Sequence, residues 1–362
     1  MAPYRRNGAR VKRAKCGQGV DIDPPRTYIV KNRFGSEVVD EEHVMSREVL
    51  THPEVTVIGA TDIYRAAAFL SIFGAQPEPV PSIPASVAAE LYGVDAELAQ
   101  LVLRTPGAQG SVRLVQTPNA APPFEPLVAG PYGIDFYTTD MELTLRLAEA
   151  AGATGFSPVV GYESEGTVSH DKVADRLQYE ARLLAPDEMS VFLTDVSTSA
   201  VAFPTALTGD LDRLHSELLM LCWVVEDIEV EKRFWSAEAG MDVVVDVFCG
   251  AEEMQQLMAH PTATPLRCVN VADADKHRRM EFMAYPDEQL GRRPDWPLTG
   301  GLHAAGFYVD DIEEAMRALP TASFGTPVVA DDGNGPLRAV AGSSPGSVRF
   351  ELWERRPAGG IR

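Results

Sequence analysis

Four stretches of the chain repeat one arrangement of apolar and polar positions: "VTVIGATDIYRAAAFL" (55–70), "GIDFYTTDMELTLRLAEAAG" (133–152), "MLCWVVEDIEVEKRFWSAEAG" (220–240) and "AAGFYVDDIEEAMRAL" (304–319). Each opens with a run of β-formers and reaches an aspartate, Asp62, Asp140, Asp227 or Asp311. Apolar residues then recur at i, i+3, i+4 and i+7, the period of a short amphipathic helix. The aspartate suits an N-cap, because its carboxylate accepts the unpaired N–H groups of a first helical turn. Gly152 and Gly240 stand where a left-handed C-cap would end two of the helices. The aspartates are spaced roughly 80 to 90 positions apart, about half a typical domain. Three further strands are predicted before each next unit. They end in "SVRLVQT" in the first unit and "SVRFELWE" in the fourth, so the chain writes nearly the same strand twice. Each unit reads strand–helix–strand–strand–strand, a half-open sheet that must pair with another to close its concave face.

Composition narrows the function classes. The chain has 362 residues, 45% hydrophobic and 23% charged, as in ordinary globular proteins, and a formal net charge of −20. That acidity argues against nucleic acid or an anionic membrane as partner and leaves a small molecule. "MAPYRRNGARVKRAK" at the start is a basic arm without acids. No apolar run approaches the roughly 20 residues of a membrane span. Cys16, Cys222, Cys249 and Cys268 show no CxxC pairing, so a reducing, cytoplasmic setting is expected. No GxSxG, P-loop, strand-to-helix GxGxxG or HExxH motif is present.

"FYVDDIEEA" and "SVRFELWE", "VVEDIEVEKRFW" and "RRMEFMA", and "YGVDAELAQLVLR" resemble the vicinal oxygen chelate superfamily, which includes glyoxalases, bleomycin-resistance proteins and extradiol dioxygenases. The resemblance covers about residues 53 to 355. It implies an α+β fold of four βαβββ modules paired into two half-barrel domains. The expected organisation is a basic arm (1–52), modules one and two as an N-terminal barrel without a site (53–204), modules three and four as a C-terminal barrel with the site (205–355), and a tail (356–362). The sequence also leaves room for a homodimer.

The resemblance further implies metal ligands seven residues before each helix-starting aspartate and on each last strand. The first positions hold Val55, Gly133, Met220 and Ala304, none a hard-metal ligand. The last strands offer Glu281 and Glu351 in modules three and four only. His303 adjoins an expected position, but neighbouring strand residues face opposite sides, which points it outward unless a bulge intervenes. His215 is likewise expected to face solvent.

A carboxylate inside an apolar strand is costly to bury unpaired. Glu281 and Glu351 therefore either face water, pair with Arg279 or Arg349 two residues earlier, or line one shared cavity. Period-two counting adds Asp135, Tyr137, Cys222, Tyr308, Arg113, Met283 and Trp353 to the concave faces. In the expected enzyme, Glu351 and Glu281 transfer protons on a small aromatic or carbonyl compound, as in an isomerase or lyase. Arg349 or Arg279 steadies the charge, and Tyr308, Trp353, Met220, Cys222 and Met283 contact substrate. One alternative is a ring-cleaving dioxygenase with a divalent metal (Fe, Mn or Zn) on Glu351, Glu281 and His303. The other is a non-catalytic, resistance-type protein that binds an aromatic ligand.

Overall fold

The computed structural model describes residues 49–122, 125–168, 177–197, 205–210, 212–273, 275, 278–292, 297–332 and 334–355. The basic arm to residue 48 and the tail from 356 lie outside the described residues.

Module one runs β1 (Val55–Ala60), α1 (Ile63–Leu70), β2 (Gln76–Pro79), α2 (Ala85–Tyr92), β3 (Gln100–Arg104) and β4 (Ser111–Gln116). Module two runs β5 (Val128–Thr138), α3 (Met141–Ala150), β6 (Val160–Val168), β7 (Leu177–Leu184) and β8 (Ser190–Asp195). After a one-turn helix α4 (Ala206–Gly209), module three runs β9 (Met220–Val224), α5 (Ile228–Arg233), β10 (Asp242–Cys249), α6 (Ala251–Met258), β11 (Leu266–Ala272) and β12 (Arg279–Ala284), followed by β13 (Gly291–Arg292). Module four runs β14 (Gly301–Val309), α7 (Ile312–Ala318), β15 (Ser323–Phe324), β16 (Val328–Asp331), β17 (Pro336–Ser343) and β18 (Arg349–Glu354).

All four aspartates cap their helices. Asp62 accepts from the N–H of Tyr64 and Arg65, Asp140 from Leu143, Asp227 from Glu229 and Val230, and Asp311 from Glu314, at 2.8 to 3.2 Å. Gly152 and Gly240 adopt φ of 93° and 83°, as a left-handed helix end requires. Asp227→Ala should cost about 1 kcal/mol of stability and Asp227→Asn much less. Denaturation midpoints of the two variants, compared with the parent, measure this.

The modules do not pair as neighbours in sequence. β1 lies antiparallel to β14, joining modules one and four in an open sheet ordered β15-β17-β18-β14-β1-β4-β3-β2, with β16 also on β17. β5 lies antiparallel to β9, and β6 to β10, so modules two and three close into a barrel. This replaces the expected partnering of one with two and three with four. Its physical basis is the 11-residue β5, which holds β8 on one edge and offers the other to β9. The residues before β9 continue that pairing: Ser216 and Leu219 donate their N–H groups to the carbonyls of Tyr137 and Asp135.

The largest core cluster packs one face of each sheet against the helices. Trp235 stacks there on Phe282 and sits within 6 Å of Phe234, Phe307 and Phe350 (ring centroids). On β18, Phe350 and Leu352 enter this core, while Trp353 belongs to a separate cluster on the concave side. On β12, Met280 and Phe282 enter the core, and Met283 faces the barrel interior. Period-two strand phase is therefore as expected. Two helices were not expected from the sequence, α2 and α6, inserted at the same point of modules one and three. α2 packs on β16 and β17 and fills the concave face of the open sheet. α6 packs on β6 and β7 and covers the barrel. Among the described residues, no helix is long and apolar enough to cross a membrane.

Candidate functional site

Inside the barrel, strands β5, β7 and β12 each place one carboxylate against the same small cavity: Asp135, Glu180 and Glu281. Tyr162, Phe192, Met220, Cys249, Cys268 and Met283 line it too. The cavity has a volume of about 30 Å³, the space of one water molecule. Met254, Leu257 and Met258 of α6 form its roof. The end of α6 is held down by Arg182, whose Nε donates to the Leu257 carbonyl at 3.0 Å.

The barrel register decides what each acid meets. Glu281 lies beside Cys222 on β9 and Asn270 on β11, and Glu180 lies beside Thr194 on β8. The Thr194 hydroxyl is 3.3 Å from both oxygens of Asp135 and 3.1 Å from Oε1 of Glu180. One hydroxyl has one proton to donate, so it cannot satisfy two ionised carboxylates at once. Arg279, buried beside them, donates from Nη2 to the Tyr137 hydroxyl at 3.0 Å.

Burial holds the Asp135 carboxyl well above its usual range, and the charges of Glu180 and Glu281 push it further. Burial and Glu281 raise Glu180 to about 7. Glu281 is also raised by burial, against the opposing pull of Cys222, Arg279 and Cys268. Three acids facing one guanidinium cannot all ionise near neutrality, so they share protons as a unit.

The predicted site residues divide between the two sheets. Glu281, Arg279, Met220, Cys222 and Met283 gather in the barrel. Glu351, Arg349, Tyr308, Trp353 and His303 belong to the open sheet. The expected cavity shared by Glu281 and Glu351 therefore does not exist, because the pairing of modules separates them. Glu351 is 1% exposed; its Oε2 accepts from the Trp353 indole N–H at 2.9 Å, and its Oε1 has no hydrogen-bond partner among the described residues. Burial raises its pKa, opposed by Arg113, whose guanidinium lies 4.2 Å above the Trp353 ring. Tyr308 donates to Asp332 at 3.0 Å. His303 is buried against the ring of Tyr92 rather than facing water, and burial with the nearby Arg349 charge lowers it to about 3. His215 is buried too, with Nε2 2.8 Å from the Thr144 hydroxyl.

Glu180 and Thr194 were not singled out in the sequence. An acid inside the apolar alternation of "YEARLLAP" was the available signal, the same one that marked Glu281 in "RMEFM".

No family model and no curated relative matches the sequence. Solved structures do. Two variants of glyoxalase I from Zea mays superpose with TM-scores of 0.52 and 0.53 at 13% and 12% identity. Each match covers 84% of this chain and 92% or 93% of the other. The chain has the vicinal oxygen chelate fold. A proposed dioxygenase from Bacillus subtilis subsp. subtilis str. 168 matches at TM-score 0.50 and 10% identity, covering 85% of this chain and 86% of that one. At such identities the likeness is one of fold.

A vicinal oxygen chelate fold implies a divalent metal, and the donor set tests that directly. Among the described residues, no three of His, Cys, Asp and Glu are grouped so as to hold a metal ion. Glu351 and His303 lie in a different sheet from Glu281. The donors among the described residues do not fit a divalent metal.

Proposed function

We propose that this vicinal oxygen chelate protein is an enzyme whose closed barrel moves protons on a small carbonyl compound, as an isomerase or lyase. The observation that carries this reading is the triad of buried Asp135 and half-buried Glu180 and Glu281 around one cavity, with Glu180 held at about 7. A carboxylate with that affinity is half-ionised at neutral pH and can both take and return a proton.

In this scheme Glu180, ionised, takes a proton from the carbon next to the carbonyl. The electron pair moves onto the carbonyl oxygen as an enolate, and protonated Glu281 donates to that oxygen. On an α-hydroxy carbonyl, Glu180 then delivers its proton to the former carbonyl carbon, and the neighbouring hydroxyl gives its proton to the Glu281 anion. The substrate isomerises and both acids return to their starting states. Arg279 stabilises the developing negative charge. Asp135, the most deeply buried of the three, stays protonated. A cavity of 30 Å³ holds no such substrate, so entry requires α6 to lift. Its underside of two methionines and a leucine can repack around different shapes.

Hydrogen exchange tests the reading without knowledge of the overall reaction. Small hydroxyketones and aryl ketones are incubated with the protein in D2O, and loss of the C–H signal is followed by NMR. Protein-dependent exchange should appear, rise as pH passes about 7, and fall roughly 100-fold or more in Glu180→Gln and Glu281→Gln. Undiminished exchange in both variants overturns the reading. So does binding of the compounds without exchange, which would favour a ligand-binding protein instead.

A further inference from the structure

One hydroxyl stands between two of the three barrel acids. β8 lies between β5 and β7, and its Thr194 sits directly across from Glu180 on β7. The same hydroxyl reaches Asp135 on β5, so Thr194 is the shared neighbour of both. It is 7% exposed, and β-branching restricts the rotation of its side chain, which keeps the hydroxyl in this bridging place. The proton-transfer scheme gives it no role.

The proton count fixes the direction of the bridge. Thr194 has one proton to give and lone pairs with which to receive. Asp135 is 1% exposed, and burial together with the charges of Glu180 and Glu281 keeps it protonated. Its O–H then donates to the Thr194 oxygen, which leaves the Thr194 O–H for Oε1 of Glu180. All three groups are satisfied when Glu180 is the anion. The reverse order would put the anion on Asp135, the more deeply buried of the two. Of the other groups around Glu180, Tyr162 on β6 also favours its anion by hydrogen bonding, and Glu281 on β12 opposes it. Tyr137, Arg279 and the thiols Cys222, Cys249 and Cys268 complete the titratable surroundings, with Arg182 two residues along β7. The underside of α6 adds only methionine and leucine side chains.

Resting on the assignment of Glu180 as the base, we propose that Thr194 is a positioning residue. It relays the hydrogen bond of protonated Asp135 to Glu180 and so holds Glu180 in its ionised, proton-accepting form. NMR of the full chain, labelled at its glutamate carboxyl carbons, follows the Glu180 titration, the signal being assigned by its loss in Glu180→Gln. Thr194→Val and Thr194→Ala lack the hydroxyl and should move the midpoint up from about 7 by roughly one to two pH units, the worth of one charged hydrogen bond. Thr194→Ser should restore it. Asp135→Asn, whose amide imitates the protonated acid, should shift the Glu180 midpoint by less than about half a unit. In the D2O exchange assay the two hydroxyl-free variants should lose roughly 5- to 50-fold at pH 7 and recover above about pH 9, a pattern that a structural defect does not give. The titration needs no substrate, so it judges Thr194 even where no compound exchanges. A midpoint unmoved in Thr194→Val and Thr194→Ala, or moved equally in Thr194→Ser, overturns the relay, as does an exchange loss that persists at high pH. A downward shift of about a unit or more in Asp135→Asn overturns it too, because Asp135 would then carry the charge.

Discussion

Arg278→Met should destabilise the protein by about 3 to 5 kcal/mol, the usual cost of breaking a buried polar network from one side. Arg278 is buried where the two sheets meet. Its Nε donates to the Leu218 carbonyl of the barrel at 3.2 Å. Its Nη1 reaches into module one, to the Ser111 carbonyl at 3.2 Å and to the Pro53 carbonyl and Thr56 hydroxyl at 3.4 Å. Gly110, at φ 76°, lies so close that a Cβ would sit 2.7 Å from the guanidinium carbon. Burial lowers the Arg278 pKa only to about 10, so the group stays charged at neutral pH. Methionine keeps most of the volume but supplies no donors, and leaves the carbonyls around it short of a partner. Chemical denaturation of the variant and the parent measures the loss. A midpoint shift equivalent to less than about 0.5 kcal/mol would show that the two sheets hold together without this residue.

The strand phase and the caps were legible in the sequence because each is a local property. An aspartate before an amphipathic run caps whatever helix forms there. Alternation alone put Arg279, Cys222 and Met283 on one face of the barrel and Trp353 on the concave side of the open sheet. Partnering was not legible, because it depends on which strand edge meets which across more than 200 residues. β1 and β14 carry no local mark of their union. That single error moved Glu351 away from Glu281. The inserted helices were missed for a different reason. "ASVAAELY" and "AEEMQQLM" are each only two turns long and were left between predicted strands, although Gly93 follows the first with a left-handed φ of 66°.

Those two helices explain why the half-barrels differ. Each covers a concave face, but α2 packs into an apolar cluster that includes Val87, Leu91, Tyr92 and Trp353. Beneath α6 lie the three carboxylates. In the open sheet Glu351 has Trp353 as its hydrogen-bond donor and Arg113 as an opposing charge. In the barrel there are three acids against one arginine, which leaves protons to exchange. On the proposed reading the same fold yields one half whose concave face is filled by α2 and one with acid–base capacity, and the difference lies in a few inward-facing positions.

Glu231→Gln should make the protein markedly more stable than the parent at pH 8 and much less so at pH 5. Glu231 is fully buried on α5, where its carboxyl accepts from the Trp235 indole N–H at 2.8 Å and the Ser344 hydroxyl at 2.6 Å. Gly346 is required beside it, since a Cβ there would lie 2.0 Å from Oε1. Burial raises the Glu231 pKa to about 7, with a smaller push from Asp227, despite hydrogen bonds from Ser344, Trp235 and the Gly346 N–H that favour the anion. The folded state therefore binds this proton more tightly than the unfolded chain, whose glutamate titrates near 4.5. Stability from this group is complete below that value and is lost as pH rises through about 7. The span corresponds to about 3 kcal/mol at most. Glutamine imitates the protonated acid and cannot ionise, so it keeps the buried contacts at every pH. Other titrating groups cancel when the variant is compared with the parent at each pH. A stability difference between them that is the same at pH 5 and pH 8 would mean that Glu231 does not take up its proton in this range.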